Sequence, residues 1–331
     1  MTIAILSVTT GGRRLAERIA GVLGNEAVIP AGRATVKTLQ EAWTSCEAMI
    51  CVMSAGIVVR SVGPLCRDKY TDPCVIVLDE EGRHVISLLS GHLGGGNELA
   101  RRVAAIIGGE AVITTSSDTL GRTALDLWVA ENRLLLRSDR KKMTMTAAKL
   151  VNTGAICLYS DEQCANLPTD FHRVDGPEKA DIILTCRDKQ LHDALYLSPR
   201  NLVIGIGCNR GTRVEDIEAA VDETCRIHDL HRRSIFGCAS IDAKINEPGL
   251  LQYAEKKGLP LHFFSKKQLN RVEGLQLSPH AMAAVGAIGV AEPAAMLAAA
   301  YGATPGRLLI GKMKWKDVTT AVAAQEMVFK E

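Results

Sequence analysis

Apolar positions follow two rhythms along this chain, and their alternation sets the architecture. Residues 2–8 (TIAILSV), 48–53, 74–78 and 84–89 are short apolar runs that read as buried strands. Residues 12–23 and 97–107 carry their apolar side chains at helical spacing instead. In the second of these, Leu99, Val103 and Ile106 recur at i, i+4 and i+7, the pattern of one face packed on a core. A further helical run, 123–132, closes this first unit. Strand–helix alternation at this spacing predicts an α/β fold with a parallel, doubly wound sheet. Ligands of such sheets bind at the carboxyl ends of the strands. That edge is where Ser54-Ala55-Gly56, Ser90-Gly91-His92 and Thr114-Thr115-Ser116 are expected.

Residues 137–200 are less regular: a basic helical stretch (RSDRKKMTMTAAKLVNTG), two short apolar runs (AICLY, DIILT) and polar loops. From residue 201 the alternation resumes. NLVIGIG is a buried-strand run with GCNRGT as its turn, and Thr212 with Glu215 forms a capping box opening a helix that carries Val214, Ile217 and Val221. Strands at 236–240 and 261–264 flank a helix after Pro248. Ser265 with Gln268 forms a second capping box, and a last strand pair lies around 308–310 and 318–323. The expected organisation is an N-terminal α/β domain over 1–135, a small middle domain over 136–200 and a second α/β domain over 201–331.

Composition narrows the classes of function. At 331 residues, 47% hydrophobic and 23% charged, the chain is an ordinary globular protein with ample core. Its net charge of +2 points to neither a nucleic-acid binder nor a membrane-surface protein. The opening apolar run is too short for a signal peptide, and the apolar stretch 281–300 is interrupted by Glu292-Pro293. Ten cysteines without a C-x-x-C pair read as free thiols of a reducing cytoplasm, with no disulfide and no tightly bound metal.

Chemistry concentrates in residues 91–100, GHLGGGNELA. Four glycines in six positions permit a sharp turn and close backbone approach to a ligand. The N–H groups opening the following helix are candidate anion donors, and His92 inside the turn exchanges a proton near neutral pH. The same residues also suit a purely geometric strand-to-helix connection with a capping histidine. The turn is neither a P-loop nor a dinucleotide fingerprint. Around it, Ser54, Arg60, Lys69, Gly91, Gly94, Gly95, Gly96, Asn97, Thr114 and Thr115 are candidate substrate-binding positions, with His92 and the carboxylates Glu98 and Asp118 as candidate catalytic groups. In the second unit, Gly207, Arg210, Asp242, Lys244 and Glu247 form a possible anion-binding turn and polar cluster, with Cys208 a weaker nucleophile candidate.

These motifs together resemble one known family. SAGIVVRSVGPLCRDKYTDPCVIVLDEEGRHVISLLSGHLGGGNELA, followed by VITTSSD and ALDLW, is similar to the amino-terminal domain of the CbiG family. VIGIGCNRGT, SIDAKINEPGLLQYAEKKGLPLHFFSKKQLN and GVAEPAAMLAAA resemble its carboxy-terminal domain, shared with CobE proteins. Gly95-Gly96 stands where the family pattern has Gly-Ala. The resemblance implies a cytoplasmic hydrolase of anaerobic cobalamin biosynthesis acting on cobalt-precorrin-5A. That enzyme opens the ring A δ-lactone and expels a two-carbon fragment as acetaldehyde. No protein-bound cofactor is implied, because cobalt arrives in the substrate. The implied partner is a small-molecule tetrapyrrole, with no nucleic acid or membrane and with a homodimer left open. Two rival readings stand beside it: a nucleotide- or phosphate-ligand enzyme, and a non-catalytic tetrapyrrole carrier.

Overall fold

A computed structural model describes residues 2–300, 302 and 304–330. The chain divides into two compact units, 1–130 and 131–331. The first contains β1 (Ile3–Ser7), α1 (Thr10–Leu23), β2 (Ala27–Val28), α2 (Val36–Ser45), β3 (Ala48–Val52), α3 (Ala55–Val62), β4 (Cys74–Leu78), β5 (His84–Leu89), α4 (Gly96–Ile107), β6 (Glu110–Val112), α5 (Ser116–Thr119) and α6 (Leu125–Glu131). Its six strands are ordered β2-β1-β3-β4-β5-β6.

Successive strand side chains point to opposite faces, and both faces here are apolar. Ile3, Ile5, Ile50 and Ile76 pack with Leu15 and Ile19 of α1 and Leu99 and Val103 of α4. Ala4, Leu6, Met49 and Val75 pack with Leu39 of α2 and Val58 and Val62 of α3. The sheet is doubly wound for that reason.

It is not wholly parallel. β2, β1, β3 and β4 run parallel, β4 and β5 pair antiparallel, and β6 then follows β5 in parallel across α4. The connection 79–83 is too short for a crossover, so it can only close a hairpin. The consequence for the site is large. The strand ends expected together are divided between two edges: Ser54 lies at one, and the turn after β5 and Thr114–Thr115 after β6 lie at the other. The register places Leu78 opposite Val85 and Val75 opposite Leu89. The three steps from Val75 to Leu78 correspond to about 10 Å of strand.

The second unit contains β7 (Leu135–Leu136), α7 (Arg140–Thr153), β8 (Ile156–Ser160), β9 (Cys164–Ala165), β10 (Phe171–Arg173), β11 (Ile182–Leu184), β12 (Leu195–Ser198), β13 (Leu202–Cys208), α8 (Val214–Ile227), β14 (Ile235–Ile241), α9 (Pro248–Lys257), β15 (Leu261–Phe264), α10 (Lys266–Leu269), α11 (Pro279–Val285), α12 (Ala291–Ala298), β16 (Arg307–Lys314), β17 (Val318–Ala324) and β18 (Met327–Val328). Two five-stranded sheets, β10-β8-β11-β12-β7 and β15-β14-β13-β17-β16, share it with a β18-β9 ribbon. The middle segment therefore has a sheet of its own within the same compact unit as the C-terminal segment. Buried Glu162 pairs with Arg307 between the two.

The C-terminal sheet is also covered twice. Ile204 and Ile206 pack with Ile217 and Val221 of α8, and Val203 packs with Ala294 and Ala295 of α12. A Cβ on Gly205 would stand 1.8 Å from the Ala291 carbonyl, so this glycine admits α12 to the sheet. The Ser265–Gln268 capping box is present. The Thr212–Glu215 box is not: α8 starts at Val214, and the Thr212 hydroxyl donates to the Asn209 carbonyl (2.9 Å) instead. Among the described residues no helix is long and apolar enough to cross a membrane.

Candidate functional site

The turn after β5 is shaped by its glycines. Ser90 takes a left-handed backbone (φ 53°) and donates its hydroxyl to the Asp72 carbonyl at 3.1 Å. The chain then folds back so tightly that a Cβ on Gly94 would lie 2.6 Å from the Ser90 carbonyl oxygen. Gly95 is left-handed as well (φ 80°). The closing bonds run from Gly95 N–H to His92 O (2.8 Å), Gly96 N–H to Ser90 O (3.1 Å) and Asn97 N–H to Gly91 O (2.9 Å). These three amides hold the turn together, so they do not present themselves to an anion as the sequence pattern suggested. The groups left able to act chemically are side chains.

His92 is the centre of a charged cluster built by α4, α5 and α6. Its Nε2 lies 3.0 Å from Ser117 Oγ and 3.2 Å from Asp118 Oδ2. Its Nδ1 lies 3.3 Å from Asp126 Oδ1. Asp118 is held from several sides. Oδ2 accepts from Thr115 Oγ1 (2.6 Å) and Asn97 Nδ2 (2.9 Å), and Oδ1 accepts from Arg101 (2.5 Å). Buried Asn97 also donates to Thr115 Oγ1 at 2.9 Å. Asp126 accepts from the Leu127 amide at 3.0 Å and has the Lys69 ammonium 3.7 Å away. Lys69 also lies over the Tyr70 ring.

The electrostatics follow from this packing. The hydrogen bond to Asp126 raises the His92 pKa above its ordinary 6.5. Burial opposes the rise, and the Asp126 charge and Asp118 reinforce it. Burial alone would raise Asp118, but hydrogen bonds from Thr115 and Arg101 outweigh it and hold the carboxyl below its usual value. Asp126 is also lowered: burial pushes it up, and His92 and Lys69 more than compensate. The cluster is thus an imidazole between two carboxylates, which favour its protonated form, with two further cations at its margin.

The structure brings His92, Asn97, Thr115, Asp118 and Lys69 together. Glu98 does not join them; its side chain is 80% exposed and has Arg101 at 3.8 Å. One residue along a helix turns the side chain by about 100°, so a neighbour of buried Asn97 need not share its face. Thr114 is exposed, and Arg60 bends onto the Gly56 carbonyl of its own helix. Ser54 lies at the opposite edge, in a cavity of about 740 Å³ lined by Val8, Thr9, Met53, Ile57 and Glu80 among others. Asp126 was not anticipated from the sequence. It sits in an apolar helical run, ALDLWVA, where a lone carboxylate was the available signal.

In the second unit the chain supplies its own anion to the glycine turn. Buried Glu247 accepts from Gly211 N–H at 2.7 Å and pairs with Lys244 at 3.0 Å. Gly207 faces Thr319 Oγ1, which would lie 2.6 Å from an added Cβ. Arg210 and Asp242 are exposed. Burial raises the Cys208 thiol pKa, with Lys244 only partly opposing, so this position favours the protonated thiol over a thiolate nucleophile. All ten cysteines are free, and burial pushes Cys51 and Cys238 up to about 12.

Comparison with known proteins agrees with this arrangement of motifs. The family profile described as Cobalamin synthesis G N-terminal matches residues 37–118, a span that includes His92 and Asp118. That described as Cobalamin synthesis G C-terminus matches residues 202–323. A cobalt-precorrin-5A hydrolase of Priestia megaterium is 34% identical over 311 residues, covering 86% of this chain and 80% of that protein. One of Salmonella typhimurium is 31% identical over 297 residues, covering 82% of this chain and 84% of its own length. A CobE protein of a Sinorhizobium species is 29% identical over 124 residues, 37% of this chain and 79% of that protein. With both of its halves matched in order and relatives of this identity spanning most of its length, the chain belongs to the CbiG family of cobalamin synthesis proteins.

Proposed function

We propose that this chain hydrolyses the δ-lactone of cobalt-precorrin-5A, releasing acetaldehyde and leaving cobalt-precorrin-5B. The work is assigned to the cytoplasm, with the tetrapyrrole as partner and no resident cofactor, since the cobalt is part of the substrate. Support comes from the relatives' hydrolase activity and from one observation above all: His92, in the glycine turn of the matched N-terminal region, is placed between two carboxylates.

Chemically the reaction needs one proton delivered to an oxygen and later removed from it. Water adds to the lactone carbonyl, and the bond from that carbon to the bridging oxygen breaks. The His92 imidazolium gives its proton to the departing oxygen, while the new carboxylic acid loses its own proton to solvent. Neutral His92 then takes the hydroxyl proton back. The bond between the two-carbon fragment and the macrocycle breaks, its electron pair passes into the conjugated ring, and the fragment leaves as acetaldehyde. Lys69 stands at the cluster's exposed margin, suited to a substrate carboxylate or to the developing oxyanion.

Acetaldehyde release, followed by alcohol dehydrogenase and NADH oxidation, tests the assignment. His92→Ala is expected to lose about 10²–10⁴-fold in turnover while remaining folded. Glu98→Gln, on the exposed helix face, is expected to retain wild-type turnover. Near-normal release by His92→Ala removes His92 from the mechanism.

A further inference from the structure

Each ring nitrogen of His92 faces a carboxylate carried by a different helix. Nε2 faces Asp118 on α5, with Ser117 Oγ sharing the same side, and Nδ1 faces Asp126 on α6. A neutral imidazole has one N–H and one lone pair; a lone pair on Nδ1 would point at the Asp126 carboxylate, and one on Nε2 would face Asp118 Oδ2 beside the Ser117 hydroxyl. Two N–H donors remove that repulsion. The two acids are not equivalent. Asp118 is tied down by Thr115, Asn97 and Arg101. Asp126 is partnered by Leu127 N–H and, besides His92, has Lys69 as a nearby cation.

We infer that Asp126 is a positioning residue: with Asp118 on the opposite nitrogen, it keeps a proton on each nitrogen of His92, so that the imidazole enters the reaction as an acid. The inference rests on the hydrolase reading for its chemical use, but not for its existence, because the doubly protonated ring belongs to the resting protein. It also orders the steps. His92 must donate before it can accept, so lactone opening precedes removal of the hydroxyl proton. The charged groups facing the His92 cluster among the described residues are Asp118 and Asp126 directly, Arg101 of α4 behind Asp118, and Lys69 from the loop before β4 beside Asp126. Removing the negative charge at 126 lowers the ring's proton affinity. Removing the positive charge at 69 raises it.

Long-range ¹⁵N–¹H spectra of ¹⁵N-histidine-labelled full-length protein read this without substrate, with His92 assigned from the signal missing in His92→Gln. The wild type is expected to show both His92 nitrogens protonated at pH 6.5, with a titration midpoint above that value. Asp126→Asn should bring the midpoint down by at least about one pH unit, and Lys69→Gln should move it up. A merely structural Asp126 leaves the midpoint in place, and a single neutral tautomer at pH 6.5 in the wild type overturns the inference outright. Should Asp126→Asn fail to fold, Lys69→Gln carries the test alone, and an unmoved midpoint there also overturns it. The expected titration in a protein that never releases acetaldehyde upholds the clamp and rejects only the hydrolase reading.

Discussion

Asp118→Asn is the substitution that most directly tests how the site is held. It preserves shape and exchanges one acceptor oxygen for an NH2 donor. In the native cluster, Oδ2 receives Thr115 and Asn97 and faces His92, while Oδ1 receives Arg101. Whichever way the new amide is turned, its NH2 meets a donor, and the Arg101–His92 pair of cations loses its shared counter-charge. Hydrogen bonds to a charged group contribute about 1.5–3 kcal/mol each when isolated and buried. The Asp118 side chain is 19% exposed and Arg101 is 48% exposed, so screening takes much of that. A loss of about 2–3 kcal/mol for the cluster as a whole is expected, short of the roughly 3–5 kcal/mol for breaking a fully buried pair. Urea unfolding followed by tryptophan fluorescence measures it, and a double-mutant cycle with Arg101→Ala isolates the guanidinium's share at about 1 kcal/mol or less. If Asp118→Asn unfolds at the wild-type midpoint with an unchanged slope, the network contributes no stability and its geometry is incidental.

His92 and His231 should respond to pH with opposite sign. His92 has a raised folded pKa, so its contribution to the first unit is complete below 6.5 and is lost as pH rises through that folded value. His231 in the second unit has a lowered pKa, from burial and nearby Arg137, so its contribution is present above 6.5 and is lost as pH falls. Below this range Asp118 and Asp126, both lowered, withdraw their stabilisation as they protonate beneath 3.8. Hydrogen exchange compared at pH 5.5 and 8.0, corrected for intrinsic rates, should show amides around His92 losing protection and those around His231 gaining it; parallel shifts at the two histidines would contradict the signs. In the glycine turn, Gly94→Ala meets the Ser90 backbone and is expected to cost about 1–3 kcal/mol. Gly95→Ala opens onto free space and carries only the left-handed backbone penalty of about 1–2 kcal/mol. Melting curves in which Gly95→Ala is the more damaging would refute the crowding argument.

Local signals and long-range ones fared differently when read from the chain. The buried strands were plain, because residues such as Ile3–Ser7 and Cys74–Leu78 are apolar on both sides and cannot be anything exposed. The Ser265–Gln268 box was plain too, since both partners lie within one turn. The sheet in the middle segment was hidden by strand length: β7, β10 and β11 have two or three residues, too few to display a period. Strand direction at β4–β5 was legible from the length of connection 79–83, though alternation elsewhere favoured a parallel reading. That one hairpin decides which residues can form a site, by sending His92 to the edge opposite Ser54. Proximity of the kind that joins His92 to Asp126 across 34 positions of sequence has no periodic signature. Glu98 illustrates the converse, because it was recommended as a carboxylate close to His92 in sequence. The helix period carried by Leu99, Val103 and Ile106 already pointed it elsewhere. Glycine-rich turns invite an anion-binding reading because their amides are accessible in principle. Here the turn consumes the Gly95, Gly96 and Asn97 amides in folding. What it delivers is the position of one imidazole between Asp118 and Asp126, and that position comes from the fold of the turn and not from its free amides.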